Sequence, residues 1–329
     1  MAHMSLCLCA TTGVPLGIGH LETYTRTGAT WQKRKAARTT RRDKESRESE
    51  RWLRGVSATR TPKLSARAIH VMDAEADFFE LMRHMADEST RFIIRAGQID
   101  RLVYDEGDAR HLREVVADLV PIVHRDVALS ERKQNFKTSG ANGRRKHPHR
   151  SARVARVSIA STRITLGRTR YTKSGGADFE INVVRVWEQS PPAGEPAVEW
   201  VLLTSEPVAQ KTDLERVVDL YRKRWTIEDY FKALKTGCSL ERRQVESYDA
   251  LCKVLAILAP IACQLLWLRS MDRLHSGAPA SAVFTETELA LLHQAPAARG
   301  LPKPKTVRDA VALLARLGGH IKNNGAPGW

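Results

Sequence analysis

The stretch from Asp213 to Gly237 constrains the fold of this 329-residue chain more than any other. It contains no proline, good helix formers dominate it and Gly237 supplies a stop, so it predicts one helix of about six turns. At about 100° per residue, the apolar side chains share one stripe, and four polar side chains fall in a neighbouring wedge. The stripe holds Leu220, Ile227, Phe231 and Leu234, and the wedge holds Tyr221, Arg224, Glu228 and Lys235.

The polar wedge has the composition of a site for phosphate chemistry. A carboxylate such as Glu228 can hold a divalent metal ion, while the cations and the phenol hold phosphate oxygens. The same residues also fit a solvated helix face that carries an i,i+4 ion pair between Arg224 and Glu228.

The spacing of the wedge residues is specific. Tyr221, Arg224, Glu228 and Lys235 lie within Tyr-x-x-Arg-Trp-x-Ile-Glu-x-x-x-Lys-x-x-Lys-Thr-Gly, which resembles the signature of DDE transposases from bacterial insertion sequences. The resemblance implies cut-and-paste DNA transposition, with metal-dependent phosphodiester hydrolysis and strand transfer at transposon ends. It also implies roles for Tyr221, Arg224 and Lys235 in binding DNA phosphates.

The resemblance implies an α/β fold: a ribonuclease-H-like core with its first strand missing, an inserted antiparallel β subdomain and a helical C-terminal region. The expected parts are residues 1–96 (core), 97–205 (insertion), 206–245 (core helix with the signature) and 246–329 (helical region). Alternating apolar residues from Leu6 to Ile18 predict a hairpin, which the resemblance places as strands two and three of the core sheet. Further strands are predicted at Val123–Leu129, Val154–Ile159, Arg163–Leu166, Ile181–Val186 and Trp200–Leu203, and helices at Leu112–Leu119, Tyr248–Ser270 and Thr306–Leu317, with a capping box at Thr285-x-x-Glu288.

Asp73 ends a short apolar strand predicted from Ala66, and a helix follows it. Ligands of open α/β sheets bind at the carboxyl ends of strands, so Asp73 is a candidate metal ligand, and it equally fits a helix N-cap. Asp-Ala-Glu-Ala-Asp from Asp73 resembles the family's Asp-Arg-Glu-Ala-Asp, which implies that Asp73 and Glu228 are two metal-binding carboxylates of the catalytic site. Ala74 replaces the arginine of that motif.

Two further positions resemble DNA contacts of the family. Arg95 ends the predicted strand from Arg91 to Ala96, where it fits either a phosphate contact or a surface cap. Trp200 begins Trp-Val-Leu-Leu-Thr-Ser-Glu-Pro, which resembles a segment whose tryptophan stacks on a flipped base. A core tryptophan that begins a strand explains Trp200 equally well.

The chain is strongly basic, with a net charge of +16, which favours a polyanionic partner such as double-stranded DNA. Between Glu131 and Arg170 there is one acidic residue, and the basic residues are Arg132, Lys133, Lys137, Arg144, Arg145, Lys146, Arg150, Arg153, Arg156, Arg163, Arg168 and Arg170. We expect this segment, with Arg144, Arg145 and Lys146 at its centre, to bind backbone phosphates. His147 and His149 lack acidic or cysteine neighbours, so we expect no metal site there.

Two Mg²⁺ or Mn²⁺ ions in the intact family site need three converging carboxylates. The family's first aspartate lies at the tip of strand one, and we expect this chain to begin beyond that point. A truncated reading frame or a late start codon would each explain such a beginning. The acidic residues before Asp73 are Glu22, Asp43, Glu45, Glu48 and Glu50, and none is predicted at that strand. We therefore expect catalytic inactivity with retained DNA binding. The alternatives are a regulator that pairs with full-length transposase and a repair or restriction nuclease.

The remaining features indicate a cytoplasmic protein, and the family resemblance implies that it is bacterial. The apolar run from Val254 to Leu268 contains Pro260 and is too short to span a bilayer, so we expect no membrane partner. No signal peptide is recognisable, and five cysteines without a Cys-x-x-Cys pair indicate neither disulfides nor a zinc site. The Leu-Gly-Gly helix end at Gly319 resembles the family's C-terminal region, which implies a homodimer on paired DNA ends; packing within one chain explains it as well.

Overall fold

The computed structural model describes residues 2–24, 49–60, 67–131, 135–136, 146–147, 149–168, 177–295 and 303–319. The chain divides into two compact units. The sheet unit is Arg42–Arg224, and the helical unit combines Met1–Arg41 with Trp225–Trp329.

One mixed sheet dominates the described part of the sheet unit. Its strands are β3 (Ile69–Met72), β4 (Arg91–Arg95), β5 (Leu102–Asp105), β6 (Asp108–His111), β7 (Val123–Leu129), β10 (Arg153–Leu166), β11 (Phe179–Glu188) and β12 (Glu199–Thr204). The order is β3-β4-β12-β11-β10-β5-β6, and β7 also pairs with β10. Strands β3 and β4 are parallel, whereas the other pairs are antiparallel. This mixed α/β arrangement is consistent with the ribonuclease-H-like fold expected from the sequence.

Alternation along the strands divides the apolar side chains between two cores on the two faces of the sheet. Ile94 and Leu203 lie in one core, while Ile93 and Leu202 lie in the other. Helices α1 (Glu50–Ala58), α2 (Phe79–Asp87) and α3 (Leu112–Ala117) contribute to the first core, and α4 (Lys211–Lys223) contributes to the second. The strand predictions were based on this alternation of side chains with a period of two residues. The alternation fits a sheet that is covered on both faces.

The strands between residues 97 and 205 are antiparallel, as predicted, but they do not form a sheet of their own. Leu202 of β12 pairs with Arg95 of β4, so the inserted strands continue the sheet that β3 and β4 begin. The predicted strands Val154–Ile159 and Arg163–Leu166 are one continuous strand, β10. A short pairing of β8 (Asn135–Phe136) with β9 (Lys146–His147) lies apart from this sheet. The expected division of the chain into four parts, with boundaries after residues 96, 205 and 245, stays a prediction.

The N-terminal hairpin is confirmed, but its expected place was wrong. Strands β1 (Ala2–Leu8) and β2 (Pro15–Thr23) pair with each other as a separate two-stranded sheet within the described residues. Met4, Leu6, Ile18 and Leu21 pack into a core of the helical unit. The hairpin therefore uses its apolar side to cover helices, which sequence alternation cannot distinguish from joining a larger sheet.

The single helix predicted from Asp213 to Gly237 is three helical segments. Helix α4 ends at Lys223, α5 spans Thr226–Lys232, and a π-helix covers Ala233–Gly237. Leu220 of the predicted apolar stripe packs in the second core of the sheet unit, whereas Ile227, Phe231 and Leu234 pack in the helical unit. One stripe thus serves two cores, and the unit boundary falls after Arg224.

Helix α6 (Tyr248–His275) organises the rest of the helical unit, with α7 (Glu286–Gln294) and α8 (Val307–Leu317). The predicted capping box of Thr285 and Glu288 is confirmed, and Thr306 caps α8 in the same way. Contrary to the expectation from the apolar run alone, α6 is long and apolar enough to cross a bilayer by length and composition. A core helix of a soluble protein satisfies the same criterion, so this is weak evidence for a membrane role.

Candidate functional site

The candidate site of the sheet unit lies at the carboxyl edge of two parallel strands. Met72 of β3 pairs with Ile94 of β4, so Asp73, which follows β3, and Arg95, the last residue of β4, lie at the same edge of the sheet. A Cβ added to Gly97 would lie 2.8 Å from the Ala74 carbonyl oxygen, so the loops after the two strands touch. Only glycine permits this approach without displacing the backbone that follows Asp73.

Asp73 caps the turn that follows β3. Its Oδ1 accepts a hydrogen bond of 2.9 Å from the backbone N–H of Glu75, at the start of a short 3₁₀ turn over Ala74–Ala76. The carboxylate is half-buried, and among the described residues Oδ2 has no hydrogen-bond partner. The cap fixes the carboxylate and leaves one oxygen for another ligand.

Asp77, the second aspartate of the Asp-Ala-Glu-Ala-Asp motif, fastens the loop after β4. Its Oδ2 accepts hydrogen bonds from the backbone N–H groups of Gly97 (2.6 Å) and Gln98 (2.8 Å), and Oδ1 pairs with Arg101. The carboxylate is fully buried. Burial lowers the pKa of Arg101, and the charge of Asp77 opposes that shift. Sequence reasoning assigned no role to Asp77, and the only signal for it was its position four residues after Asp73.

Glu75 connects the motif to α1. Its carboxylate lies 2.8 Å from a guanidinium nitrogen of Arg51, whose side chain is 10% exposed. Arg51 belongs to the Glu-Arg-Trp-Leu run that begins α1. Since Trp52 and Leu53 pack against the first core, α1 is held to the site by apolar contacts and by this ion pair.

Tyr221, Trp200 and Arg224 lie together in the sheet unit. Tyr221 is 2% exposed, and its ring centroid lies 5.9 Å from that of the half-buried Trp200. The guanidinium carbon of Arg224 lies 5.9 Å from the Tyr221 ring centroid, within range of a cation–π contact. The structure therefore brings these three predicted residues together. Their roles with DNA stay predictions.

Glu228 and Lys235 belong to the helical unit. Glu228 is exposed in the first turn of α5, and Lys235 is exposed on the π-helix, with its Nζ 3.2 Å from a carboxylate oxygen of Glu241. Single-turn π-helical segments occur often at functional sites. Tyr230 anchors α5 by donating a 3.0 Å hydrogen bond from its buried hydroxyl to the Ala259 carbonyl.

The basic segment between Glu131 and Arg170 is only partly described. Arg144 and Arg145 lie outside the described residues, and Lys146 is in β9. Arg153 pairs with the buried Glu188, so this arginine stabilises the pairing of β10 with its neighbours. Its guanidinium lowers the pKa of Glu188. Arg156 and Arg168 are exposed and remain candidates for phosphate contact.

Across the described ranges, no three acidic, histidine or cysteine side chains come together as a metal-binding group. Asp73 and Glu228 remain as two candidate carboxylates.

The chain matches a known protein family. The family described as "Transposase DDE domain" matches residues 66–261, which is more than half of the chain. The matched region begins just before β3 and ends within α6. It contains Asp73, Glu228 and all eight predicted DNA contacts: Arg95, Arg144, Arg145, Lys146, Trp200, Tyr221, Arg224 and Lys235.

Proposed function

The chain belongs to the transposase DDE domain family, and on that premise we propose that it binds transposon DNA but does not cleave it with its own residues alone. The observation that carries the proposal is the acid set: Asp73 is held at the carboxyl edge of β3 with one oxygen available, and no three-carboxylate group accompanies it in the described residues. Glu228 is the second proposed metal ligand.

Transposase DDE domains generally use divalent metal ions. In this chain, Asp73 and Glu228 would hold the cation, Mg²⁺ or Mn²⁺, and the bound ion would polarise a phosphodiester. Two carboxylates without a third are a weak ligand set for such ions, which usually take six or more oxygen ligands, many of them water. We therefore propose that metal affinity is low and that cleavage is absent.

DNA binding follows from charge and from the residues at the edge of the sheet. A net charge of +16 favours phosphate contact, and Arg95 is exposed beside Asp73. The proposed partner is double-stranded DNA at the ends of a bacterial insertion sequence, bound by a homodimer in the cytoplasm. Trp200, packed against Tyr221, is proposed to stack on an unpaired base at the end.

The second candidate function is a non-catalytic regulator that pairs with full-length transposase. The incomplete acid set favours it, because a subunit that binds DNA without cleaving it would block the assembly that it joins. Mixing this chain with an active transposase of the same family tests it: substoichiometric inhibition supports the regulator, and no inhibition opposes it.

A plasmid nicking assay tests the absence of cleavage. Supercoiled plasmid is incubated with the chain and Mg²⁺ or Mn²⁺, beside Glu228→Gln and Asp73→Asn variants as matched controls. We expect the same background nicking in all three. Robust nicking by the wild-type chain that a substitution abolishes would overturn the proposed inactivity, and it would show that the substituted carboxylate is needed for cleavage.

Iron-directed cleavage tests the shared metal site without relying on activity. Fe²⁺ with ascorbate and peroxide cuts a polypeptide near the bound ion, so we expect weak cuts close to both Asp73 and Glu228. Each of the two substitutions should remove both cuts. Cuts at one residue that survive substitution of the other would refute the shared site.

A further inference from the structure

We propose that a pocket in the sheet unit lined by Arg95, Arg113 and Arg185 binds a DNA backbone phosphate near the strand edge that carries Asp73. The pocket has a volume of about 270 Å³. Ala96, Ile99, Val116 and Val201 form its apolar part, and Glu199 is the single acidic residue among the residues that line it. This inference rests on the proposed function, because it takes DNA as the ligand.

Arg185 is held in place before any ligand arrives. Its guanidinium lies 2.9 Å from a carboxylate oxygen of Glu199, and it donates a 2.8 Å hydrogen bond to the Val116 carbonyl. Its guanidinium carbon lies 4.6 Å from the Trp187 ring centroid, and the side chain is 18% exposed. A guanidinium fixed by a carbonyl, a carboxylate and an aromatic ring does not have to be ordered when a phosphate binds.

The other two cations are available to a ligand. Arg113 is 56% exposed and pairs with the exposed Asp100, and an exposed pair of this kind is weak. Arg95 is exposed, and no ion pair involves it within the described residues. Three arginines against Glu199 and Asp100 leave an excess of one positive charge, which suits the single negative charge of a phosphodiester.

The apolar part of the pocket strengthens this attraction. Charges act more strongly where apolar side chains exclude water, because the local dielectric constant is low. A backbone phosphate also carries a deoxyribose, whose carbon face can contact Ile99 and Val201 while the phosphate oxygens meet the arginines.

The location separates this pocket from the predicted base-stacking residue. Side chains alternate along β12, so Val201 lies on the face of the first core, and Trp200 packs with Tyr221 on the opposite face. The pocket begins at the end of β4, and the loop there touches Ala74 beside Asp73. A phosphate bound in it would therefore lie at the strand edge that carries the candidate metal ligand.

The test is the salt dependence of DNA binding by the full chain, with EDTA present. Fluorescence anisotropy with a labelled duplex gives the dissociation constant over a range of salt concentrations for wild type and for Arg95→Gln, Arg113→Gln and the double variant. Loss of this one phosphate contact in the double variant should weaken binding roughly tenfold and reduce the slope of log K against log salt by about 0.9, and each single variant should show part of that effect. Arg60→Gln is the matched control, since it removes one exposed, ion-paired arginine from the same unit.

The outcomes separate the two proposals. A double variant that behaves like Arg60→Gln overturns the pocket while DNA binding by the chain stands. Wild type that binds no DNA overturns the proposed function and the pocket with it. Arg113→Lys keeps the charge and should keep most of the slope of log K against log salt. If this variant loses the whole contribution of the pocket to that slope, the fold is damaged and the assignment is overturned. Competition by inorganic phosphate or a mononucleotide, with the duplex slope unchanged, would identify a small anion site instead.

Discussion

Replacing Asp77 with alanine should cost more than replacing any exposed acid of the sheet unit. The carboxylate is fully buried, and it accepts two backbone N–H bonds from Gly97 and Gln98 besides its pair with Arg101. Alanine would leave both N–H groups without their acceptor and the guanidinium of Arg101, 11% exposed, without its counter-charge.

The magnitude follows from these contacts. Removing one partner of a buried ion pair costs about 3–5 kcal/mol, and each buried donor left without an acceptor costs about 1–3 kcal/mol. The losses overlap because water can enter at the loop, so we expect about 4 kcal/mol. For a unit of this size, 1 kcal/mol corresponds to about 2–4 °C in Tm, so the expected decrease is roughly 8–16 °C.

Urea unfolding and thermal unfolding followed by circular dichroism measure this loss. Asp87→Ala is the control, because it removes an exposed i,i+4 ion pair with Arg83 and should cost under about 1 kcal/mol. Asp77→Asn, which keeps one acceptor oxygen, should fall between the two. If Asp77→Ala is no less stable than Asp87→Ala, the interpretation of Asp77 as the anchor of the loop beside Asp73 is wrong.

Three other perturbations have expected outcomes. Burial lowers the pKa of His70 from 6.5 to about 4, so the chain takes up a proton on unfolding between these pH values. The free energy of unfolding should therefore fall as the pH decreases from 6.5 to 4. In urea titrations, the free energy of unfolding of His70→Gln should depend less on pH over this range. Tyr230→Phe removes the buried hydroxyl that donates to Ala259 and should cost about 1 kcal/mol in chemical denaturation, whereas an unchanged midpoint would contradict the hydrogen bond. Glu206 is 1% exposed and pairs with Arg91 and Arg216. In chemical denaturation, Glu206→Gln should therefore lower the free energy of unfolding by about 3 kcal/mol. A loss under about 1 kcal/mol would argue against a buried network at Glu206.

Strand alternation predicted most of the sheet, and the misses have local causes. Val123–Leu129 is β7 at its predicted bounds, and β11 and β12 extend their predictions by one to two residues. The hairpin of β5 and β6 was missed because its strands are four residues long and β6, Asp-Ala-Arg-His, is mostly polar. The signal was the turn: Glu106 and Gly107 both have positive φ, and Asp-Glu-Gly-Asp is a sequence that permits it.

The divided helix shows why propensity could not locate the break. The residues from Tyr221 to Thr226 favour helix, and Arg224 and Trp225 keep right-handed helical backbone angles. The segments separate because Leu220 and Tyr221 are buried in one core, while Ile227 and Phe231 pack in another. Tertiary packing determines where such a break falls. Helical periodicity in the sequence shows only that the segments on both sides of the break are amphipathic.

The two interpretations of Asp73 are compatible. A helix cap and a metal ligand seemed to be alternatives because each assigned the whole carboxylate to one partner. The cap uses Oδ1, and a carboxylate has a second oxygen that can bind a cation. A metal ligand benefits from a hydrogen bond that fixes its orientation, so the bond from the Glu75 N–H would orient Asp73 for the coordination that we propose. Asp73→Asn retains the cap and loses the charge, which makes it the substitution that separates metal binding from folding.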